Sequence, residues 1–172
     1  MTESRKTEMK VRTTHGFTLI EILIVLVIIG IVAAALVVFS ADSFRKTQLR
    51  DGATQLVADL NRARGQAQRS STDSAVTIAG SVGTPKSTYT TLWGGTVAGV
   101  ASAPVGRSLP APVRVAPYSA TYPSATITYS APYGEVNAIG IIWEVSSLST
   151  SAKLYVKSVG VTGKVVLSAT PN

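Results

Sequence analysis

The stretch HGFTLIEILIVLVIIGIVAAALVVF, residues 15–39, decides how this chain is organised. From Phe17 onward the stretch is apolar or glycine, apart from Thr18 and one acid, Glu21. An uncompensated charge inside a membrane costs about 3 kcal/mol or more, so such a carboxylate is retained where it has a partner. Glu21 is therefore a candidate functional residue.

The apolar run has the length of a membrane span. Residues 22–39 are eighteen apolar residues or glycines, which rise about 27 Å as a helix, close to a hydrocarbon core of roughly 30 Å. Under the positive-inside rule, basic residues before the run predict a cytoplasmic N-terminus and a single-pass topology. These basic residues are Arg5, Lys6, Lys10 and Arg12.

The helical pattern continues beyond the apolar run. Apolar or small residues recur at steps of three and four, and no proline interrupts residues 1–84. We predict one helix over about residues 17–69, with a transmembrane part at 17–41 and an amphipathic part at 42–70. The stripe of the amphipathic part, which another layer must cover, consists of Leu49, Ala53, Leu56, Val57, Leu60, Ala63 and Ala67.

Residues 71–172 are predicted to form a β-rich extracytoplasmic domain. β-Branched and aromatic runs alternate there with Gly and Pro clusters. A helix followed by strands predicts an α+β fold, in which the long N-terminal helix packs on an antiparallel sheet. The Gly- and Pro-rich residues 94–112 are expected to form a long exposed loop. The predicted strands are residues 74–79, 87–93, 113–116, 125–130, 139–145, 152–159 and 164–169.

The composition argues against an enzyme. The chain has no cysteine and a single histidine, His15, so neither a disulfide framework nor a thiolate or imidazole metal site is expected. The acids are scattered, and the sequence has no Walker loop and no GxSxG motif. We predict a structural or interaction protein without a cofactor. Its formal net charge of +7 is compatible with a weak attraction to anionic surfaces or with a solvated basic face.

The segment GFTLIE, residues 16–21, lies between a basic leader and an apolar helix. It resembles the class III signal sequence of type IV prepilins and type II secretion pseudopilins. The resemblance implies that residues 1–16 are a leader, which a membrane prepilin peptidase removes by cleaving between Gly16 and Phe17. It also implies N-methylation of the new Phe17 amine. The implied location is the bacterial inner membrane and, after assembly, a pilus or pseudopilus in the periplasm or at the cell surface.

The same resemblance gives Glu21 a role in subunit assembly. In that family the equivalent glutamate pairs with the N-terminal ammonium of a neighbouring subunit, while the apolar helices bundle in the filament core. A buried carboxylate and a buried ammonium are each costly, and each becomes tolerable when paired. The alternative is a glutamate that lies at the headgroup level of a simple anchor helix.

The N-terminal region has two other possible interpretations, an ordinary secretory signal and a plain membrane anchor. An ordinary secretory signal has a similar basic start, and Ala33-Ala34-Ala35 resembles its cleavage site. However, the apolar run continues through Phe39 and merges into the next helical segment. A plain membrane anchor explains the length and the charges, but it leaves the GFTLIE string unexplained.

Residues 56–78 are similar to the FimT/GspH class, in which a helix end of the form Leu-x-x-Ala-Arg-x-x-Ala leads into a strand; Leu60, Ala63, Arg64 and Ala67 match. Major pilins commonly have a proline where this chain has Val38. Many also have a C-terminal disulfide, which this chain cannot form because it has no cysteine. We therefore expect a minor pilin that initiates a pilus for DNA uptake, adhesion or twitching motility. The alternatives are an H-type pseudopilin of a type II secretion system and a DNA-binding module at a pilus tip.

The candidate DNA-contacting residues are Lys153, Tyr155, Lys157 and Lys164. The first three alternate along one predicted strand and so share a face, where lysines could meet phosphates and Tyr155 could stack on a base. The simpler interpretation is a solvent-facing strand whose lysines keep it soluble. Some FimT-like proteins bind DNA through a Gly- and Arg-rich C-terminal turn, but residues 162–165 here are TGKV, without arginine.

Three arginines, Arg62, Arg64 and Arg69, lie near the end of the predicted helix. A nucleic-acid role is conceivable for them, but a structural one is favoured. Arg64 in particular is expected to cap helix carbonyls or to pair with Asp59 or Asp73.

Overall fold

The computed structural model describes residues 17–94, 96–97, 100–119, 124–136, 138 and 140–171, with the backbone alone at 37–41, 96–97 and 100–101. It divides into two units, residues 1–40 and 41–172. Helix α1 (Leu19–Ser70) contains 52 residues, and its ends lie close to those predicted. The leader, residues 1–16, and Gly16 with it lie outside the described residues.

Within the second unit, the predicted apolar stripe of α1 is buried. Leu49, Leu56 and Leu60 are at most 2% exposed, and Val57 packs partly buried beside them. Gly52 lets the helix approach the sheet closely, since an added Cβ would lie 2.8 Å from Cγ1 of Val113. The three alanines of the stripe are fully buried: Ala53, Ala63 and Ala67.

The fold class is α+β, as predicted, but the strands form more than one sheet. A five-stranded sheet has the order β5-β2-β1-β7-β8, a four-stranded sheet has the order β11-β10-β9-β6, and β3 pairs with β4. The strand pairs are antiparallel. The strands are β1 (Ser74–Ile78), β2 (Thr88–Leu92), β3 (Thr96–Val97), β4 (Val100–Ala101), β5 (Val105–Ser108), β6 (Val113–Pro117), β7 (Thr126–Ser130), β8 (Glu135–Val136), β9 (Ile142–Ser147), β10 (Thr150–Val159) and β11 (Lys164–Ser168).

The expectation of a long exposed loop over residues 94–112 was wrong. β5 lies inside this segment and pairs with β2, from Thr88 opposite Ser108 to Thr91 opposite Val105. Leu109, the next residue, is 4% exposed. The sequence VGRS has no alternating apolar pattern, so the strand arises because the edge of β2 offers unpaired backbone groups.

The core of the second unit is one cluster shared by α1 and both large sheets. Its largest fully buried side chains are Trp143 of β9, Tyr89 of β2 and Tyr129 of β7. The indole Nε1–H of Trp143 donates to the carbonyl of Ser124 at 2.9 Å. The two large sheets therefore bury the apolar stripe of α1, which was predicted to need a covering layer.

Candidate functional site

The first turn of α1 is organised by Thr18. Oγ1 of Thr18 accepts a hydrogen bond from the backbone N–H of Glu21 at 3.3 Å, and the Thr18 carbonyl accepts from the N–H groups of Glu21 and Ile22 at 3.1 and 3.3 Å. Thr18 is thus the N-cap, and Glu21 occupies the third helical position, in the Thr-x-x-Glu spacing typical of a capping box. The helix begins just after Phe17, whose side chain is 78% exposed.

Sequence reasoning missed this cap, although the Thr-x-x-Glu spacing is a recognised signal for it. The cap gives Glu21 a local advantage, because a carboxylate in the first turn is stabilised by the positive end of the helix dipole. This stabilisation is small beside the cost of placing the charge in an apolar environment.

Glu21 is exposed on an apolar surface. Among the described residues, the ion pairs join Arg45 to Asp42, Arg107 to Asp59 and Lys153 to Glu144, and none involves Glu21. The chain therefore offers an acid without supplying a described cation for it. That arrangement is what an intersubunit partner would require.

The segment that carries Glu21 is long and apolar enough to cross a membrane, judged by length and composition. It runs from Leu19 to Leu36, and none of its side chains is buried. Leu19 is 83% exposed and Leu26 is 64% exposed. The segment therefore needs a lipid or protein environment that this unit of the chain does not provide.

The strand register brings the four candidate DNA-contacting residues to one face of the four-stranded sheet. Lys164 lies opposite Val159, which shares a face with Lys153, Tyr155 and Lys157 of β10. Lys157 is half-buried there, and Lys164 is exposed.

Lys153, Tyr155, Lys157 and Lys164 together form what we call the lysine face. Two of these residues, Lys153 and Tyr155, already contact other side chains of the chain. Nζ of Lys153 lies 2.9 Å from Oε1 of Glu144, and this hydrogen bond raises the pKa of the Lys153 ammonium. Tyr155 is only 9% exposed, and its ring packs edge-to-face against Tyr118 with centroids 5.2 Å apart. Tyr155 is thus covered by another ring and does not present a free surface for stacking.

Asp59 is the centre of a polar cluster between α1 and the edge of the five-stranded sheet. It is 6% exposed, and its Oδ2 accepts from the Tyr89 hydroxyl at 2.6 Å and lies 3.5 Å from Nη1 of Arg107. Gln55 donates to the Tyr89 hydroxyl at 2.9 Å and to the Ser108 carbonyl at 3.1 Å. Burial, and then the hydrogen bond to Asp59, raises the pKa of Tyr89 to about 12.

The acids that were expected to pair with Arg64 interact with other groups. Asp59 pairs with Arg107, and Oδ1 of Asp73 accepts from the N–H of Ala131 at 2.9 Å. The guanidinium of Arg62 lies over the ring of Trp93, 5.0 Å from its centroid. Arg107 approaches the same ring at 5.8 Å, so one indole joins the helix to β5.

No group of three or more His, Cys, Asp and Glu side chains is placed to hold a metal ion within the part of the chain that the structure describes. The clusters found there hold elements together: Asp59, Arg107 and Trp93 join α1 to the five-stranded sheet. Glu21, by contrast, has no ion-pair partner among the described residues.

Two comparisons bear on this arrangement. The profile of the family described as "Prokaryotic N-terminal methylation motif" matches residues 11–37, the region around GFTLIE and the apolar helix. Two crystal forms of the type IV minor pilin FimU from Pseudomonas aeruginosa strain PAO1 have a similar fold. The chain has the pilin fold and carries the prepilin methylation motif. This confirms the resemblance predicted from residues 16–21.

The two FimU crystal structures match this chain to similar extents. The first has a TM-score of 0.53 at 16% identity and covers 72% of this chain and 90% of the FimU chain. The second has a TM-score of 0.50 at 14% identity and covers 69% of this chain and 91% of the FimU chain. No curated protein matches the sequence. At these identities the pilin likeness establishes the fold, and the motif match establishes the N-terminal signal.

Proposed function

We propose that this chain is a minor type IV pilin of the FimT/GspH class, a non-enzymatic structural subunit that enters a pilus and initiates it. The observation that carries the proposal is the segment Leu19–Leu36, whose apolar side chains are unburied, directly after the motif GFTLIE. Membrane lipid covers this segment before assembly, and the helices of other pilins cover it afterwards. The pilus would serve DNA uptake, adhesion or twitching motility.

Processing and assembly are linked through the first residues. Cleavage after Gly16 by a prepilin peptidase creates an ammonium at Phe17, which is then N-methylated. The carboxylate of Glu21, which has no described ion-pair partner in its own chain, accepts this ammonium from the neighbouring subunit. Pairing removes the cost of two isolated charges and sets the axial register of one helix against the next.

Mass spectrometry of the mature N-terminus tests the processing step. The proposal expects a chain that begins at Phe17 and carries one methyl group on its amine. A chain that retains the leader, or that begins near Leu36, would show that the segment is an anchor or a secretory signal.

Assembly is tested by replacing Glu21. The Glu21→Ala variant should insert and be cleaved normally, but its recovery in sheared filaments should fall at least tenfold. Asp42→Ala removes another exposed acid of α1, one that pairs with Arg45 at 3.4 Å, and should be incorporated normally. Equal incorporation of both variants would place Glu21 at the headgroups of a simple anchor.

Deletion of the gene separates a pilus from a secretion machine. Loss of piliation with normal secretion supports the pilus. Loss of secretion with normal piliation would identify an H-type pseudopilin instead. The lysine face adds no second proposal, since Tyr155 is covered and Lys153 is paired. Salt-sensitive retardation of DNA that requires Lys153, Lys157 and Lys164 would restore a DNA-binding role.

A further inference from the structure

A groove opens between α1 and the edge of the four-stranded sheet, entirely within residues 41–172. Its volume is about 420 Å³, which is within the range of small-molecule sites and large for a bare ion. Both sides carry leucine and cationic side chains: Lys46, Leu49 and Arg50 on α1, and Lys153, Leu154 and Leu167 on the sheet.

The two cations on the α1 side of the groove are accessible to a bound anion. Lys46 and Arg50 are exposed, and in the described part of the chain neither forms an ion pair. They lie four residues apart, so they project from the same face of the helix. Leu49 lies between them in sequence and is 2% exposed, and together with Leu154 and Leu167 it forms the leucine floor of the groove.

This combination of charges and apolar surface selects an anionic amphiphile. Lysine and arginine bind phosphate oxygens, while Leu154 and Leu167 offer surface to hydrocarbon. Lys46 follows Phe39, the last residue of the apolar run, by only seven residues. A short length of chain therefore separates this groove-lining lysine from the segment that would lie in a bilayer.

We propose that the groove binds an anionic phospholipid, with the phosphate at Lys46 and Arg50 and the adjoining hydrocarbon on the leucine floor. The site holds the β-rich unit on the membrane surface until the subunit is taken into a filament. It rests on the proposed function only in requiring that the apolar segment is anchored in a membrane.

The test uses the full chain reconstituted in vesicles. Because the sequence has no cysteine, a single Thr170→Cys can carry an environment-sensitive fluorophore beside the groove. Vesicles of phosphatidylcholine are compared with vesicles containing increasing fractions of phosphatidylglycerol. We expect a blue shift that rises with phosphatidylglycerol at Thr170→Cys and not at Thr90→Cys, an exposed position on the five-stranded sheet.

Charge variants locate the response. Lys46→Gln with Arg50→Gln should raise the phosphatidylglycerol fraction at half-maximal response at least fivefold, because it removes both α1 cations that face the lipid phosphate. Ser168→Asp, which adds a negative charge to the lining, should abolish the response. Arg45→Gln is the matched control: it removes a neighbouring charge that pairs with Asp42 and does not line the groove.

Three outcomes would overturn the proposal. An equal response in phosphatidylcholine would indicate apolar partition without recognition of charge. An equal loss with Arg45→Gln would indicate a diffuse electrostatic effect. No response in either lipid would leave the groove to an acidic segment of another subunit. None of these results depends on cleavage after Gly16 or on filament entry, so the lipid site can fail while the pilin function holds.

Discussion

Leu26 and Leu56 belong to the same helix, yet their environments are opposite. Leu26 is 64% exposed, and Leu56 is fully buried. None of the side chains of Leu19–Leu36 is buried, whereas the stripe from Leu49 to Ala67 is covered by two sheets.

The acids of α1 differ in the same way. Asp59 is buried and finds Tyr89 and Arg107 within its own chain. Glu21 is exposed and finds no described ion-pair partner. The later part of α1 thus completes its interactions on folding, whereas the earlier part leaves its apolar side chains and Glu21 exposed.

The strongest test of this difference is a pair of identical substitutions. Leu56→Ala should lower the free energy of unfolding by about 2–5 kcal/mol, because it leaves a cavity in a packed core. Leu26→Ala should leave it unchanged, because its side chain contributes nothing to that core. Urea unfolding of the full chain in detergent, followed by near-ultraviolet circular dichroism, measures both. A similar loss with Leu26→Ala would mean that the first segment belongs to the same folded core.

A second pair compares the acids. Asp59→Asn should lower the free energy of unfolding by about 1–3 kcal/mol, since it weakens a charge-assisted hydrogen bond and leaves Arg107 without its counterion. Glu21→Gln should have no effect on unfolding. Asp51→Asn, which changes an exposed acid of the same helix, is the control for loss of charge alone. If Asp59→Asn also unfolds normally, the polar cluster does not hold α1 to β5.

The smallest effect at neutral pH is expected for Tyr129→Phe. Tyr129 is fully buried, and its hydroxyl has no hydrogen-bond partner in the described part of the chain. Its removal should therefore raise the free energy of unfolding by about 1 kcal/mol, because an unpaired buried hydroxyl carries a desolvation cost that phenylalanine does not. Tyr89→Phe is the matched comparison and should cost about 1–2 kcal/mol, because it takes a donor from Asp59.

Alkaline pH makes the contribution of Tyr129 visible. Burial raises the pKa of Tyr129 from 10.0 to about 12, so its contribution to stability is fully present below pH 10 and is lost as the pH rises through 12. Each unit of pKa difference corresponds to about 1.4 kcal/mol. Unfolding measured from pH 9 to 12 should lose stability less steeply in Tyr129→Phe than in the parent chain. If the two proteins lost stability equally steeply with pH, Tyr129 would have the same pKa in the folded and the unfolded state.

Local patterns were the part of the fold that could be predicted from the sequence. The spacing of Leu49, Leu56 and Leu60 fixed the buried face of α1, because a 3.6-residue period depends only on near neighbours. β5 could not be predicted, because its residues pair with β2 through backbone groups. The polar cluster was missed for a similar reason, since Asp59 meets Arg107 only after the strand edge reaches the helix.

The candidate site divides along the same line. GFTLIE indicated the N-terminal methylation motif, because that motif is a short contiguous segment, and Glu21 stood out because a charge in an apolar run is locally anomalous. The cap by Thr18 could have been predicted from the Thr-x-x-Glu spacing of residues 18–21. The covering of Tyr155 by Tyr118 and the pairing of Lys153 with Glu144 were not readable, because these partners come from separate strands.

The sequence by itself determined that the chain has a leader-like start, an apolar helix bearing one acid, an amphipathic continuation and a β-rich remainder. The leader-like start follows from the resemblance carried by GFTLIE, and the other three features follow from composition and short-range periodicity. Only the tertiary structure decided that most of the strands form two large sheets. It also decided that Asp59 has an ion-pair partner within the chain, whereas Glu21 has none among the described residues. Finally, it placed Lys46 and Arg50 in the lining of a groove that also contains leucines. Those facts depend on contacts between residues far apart in the chain, which register and packing set.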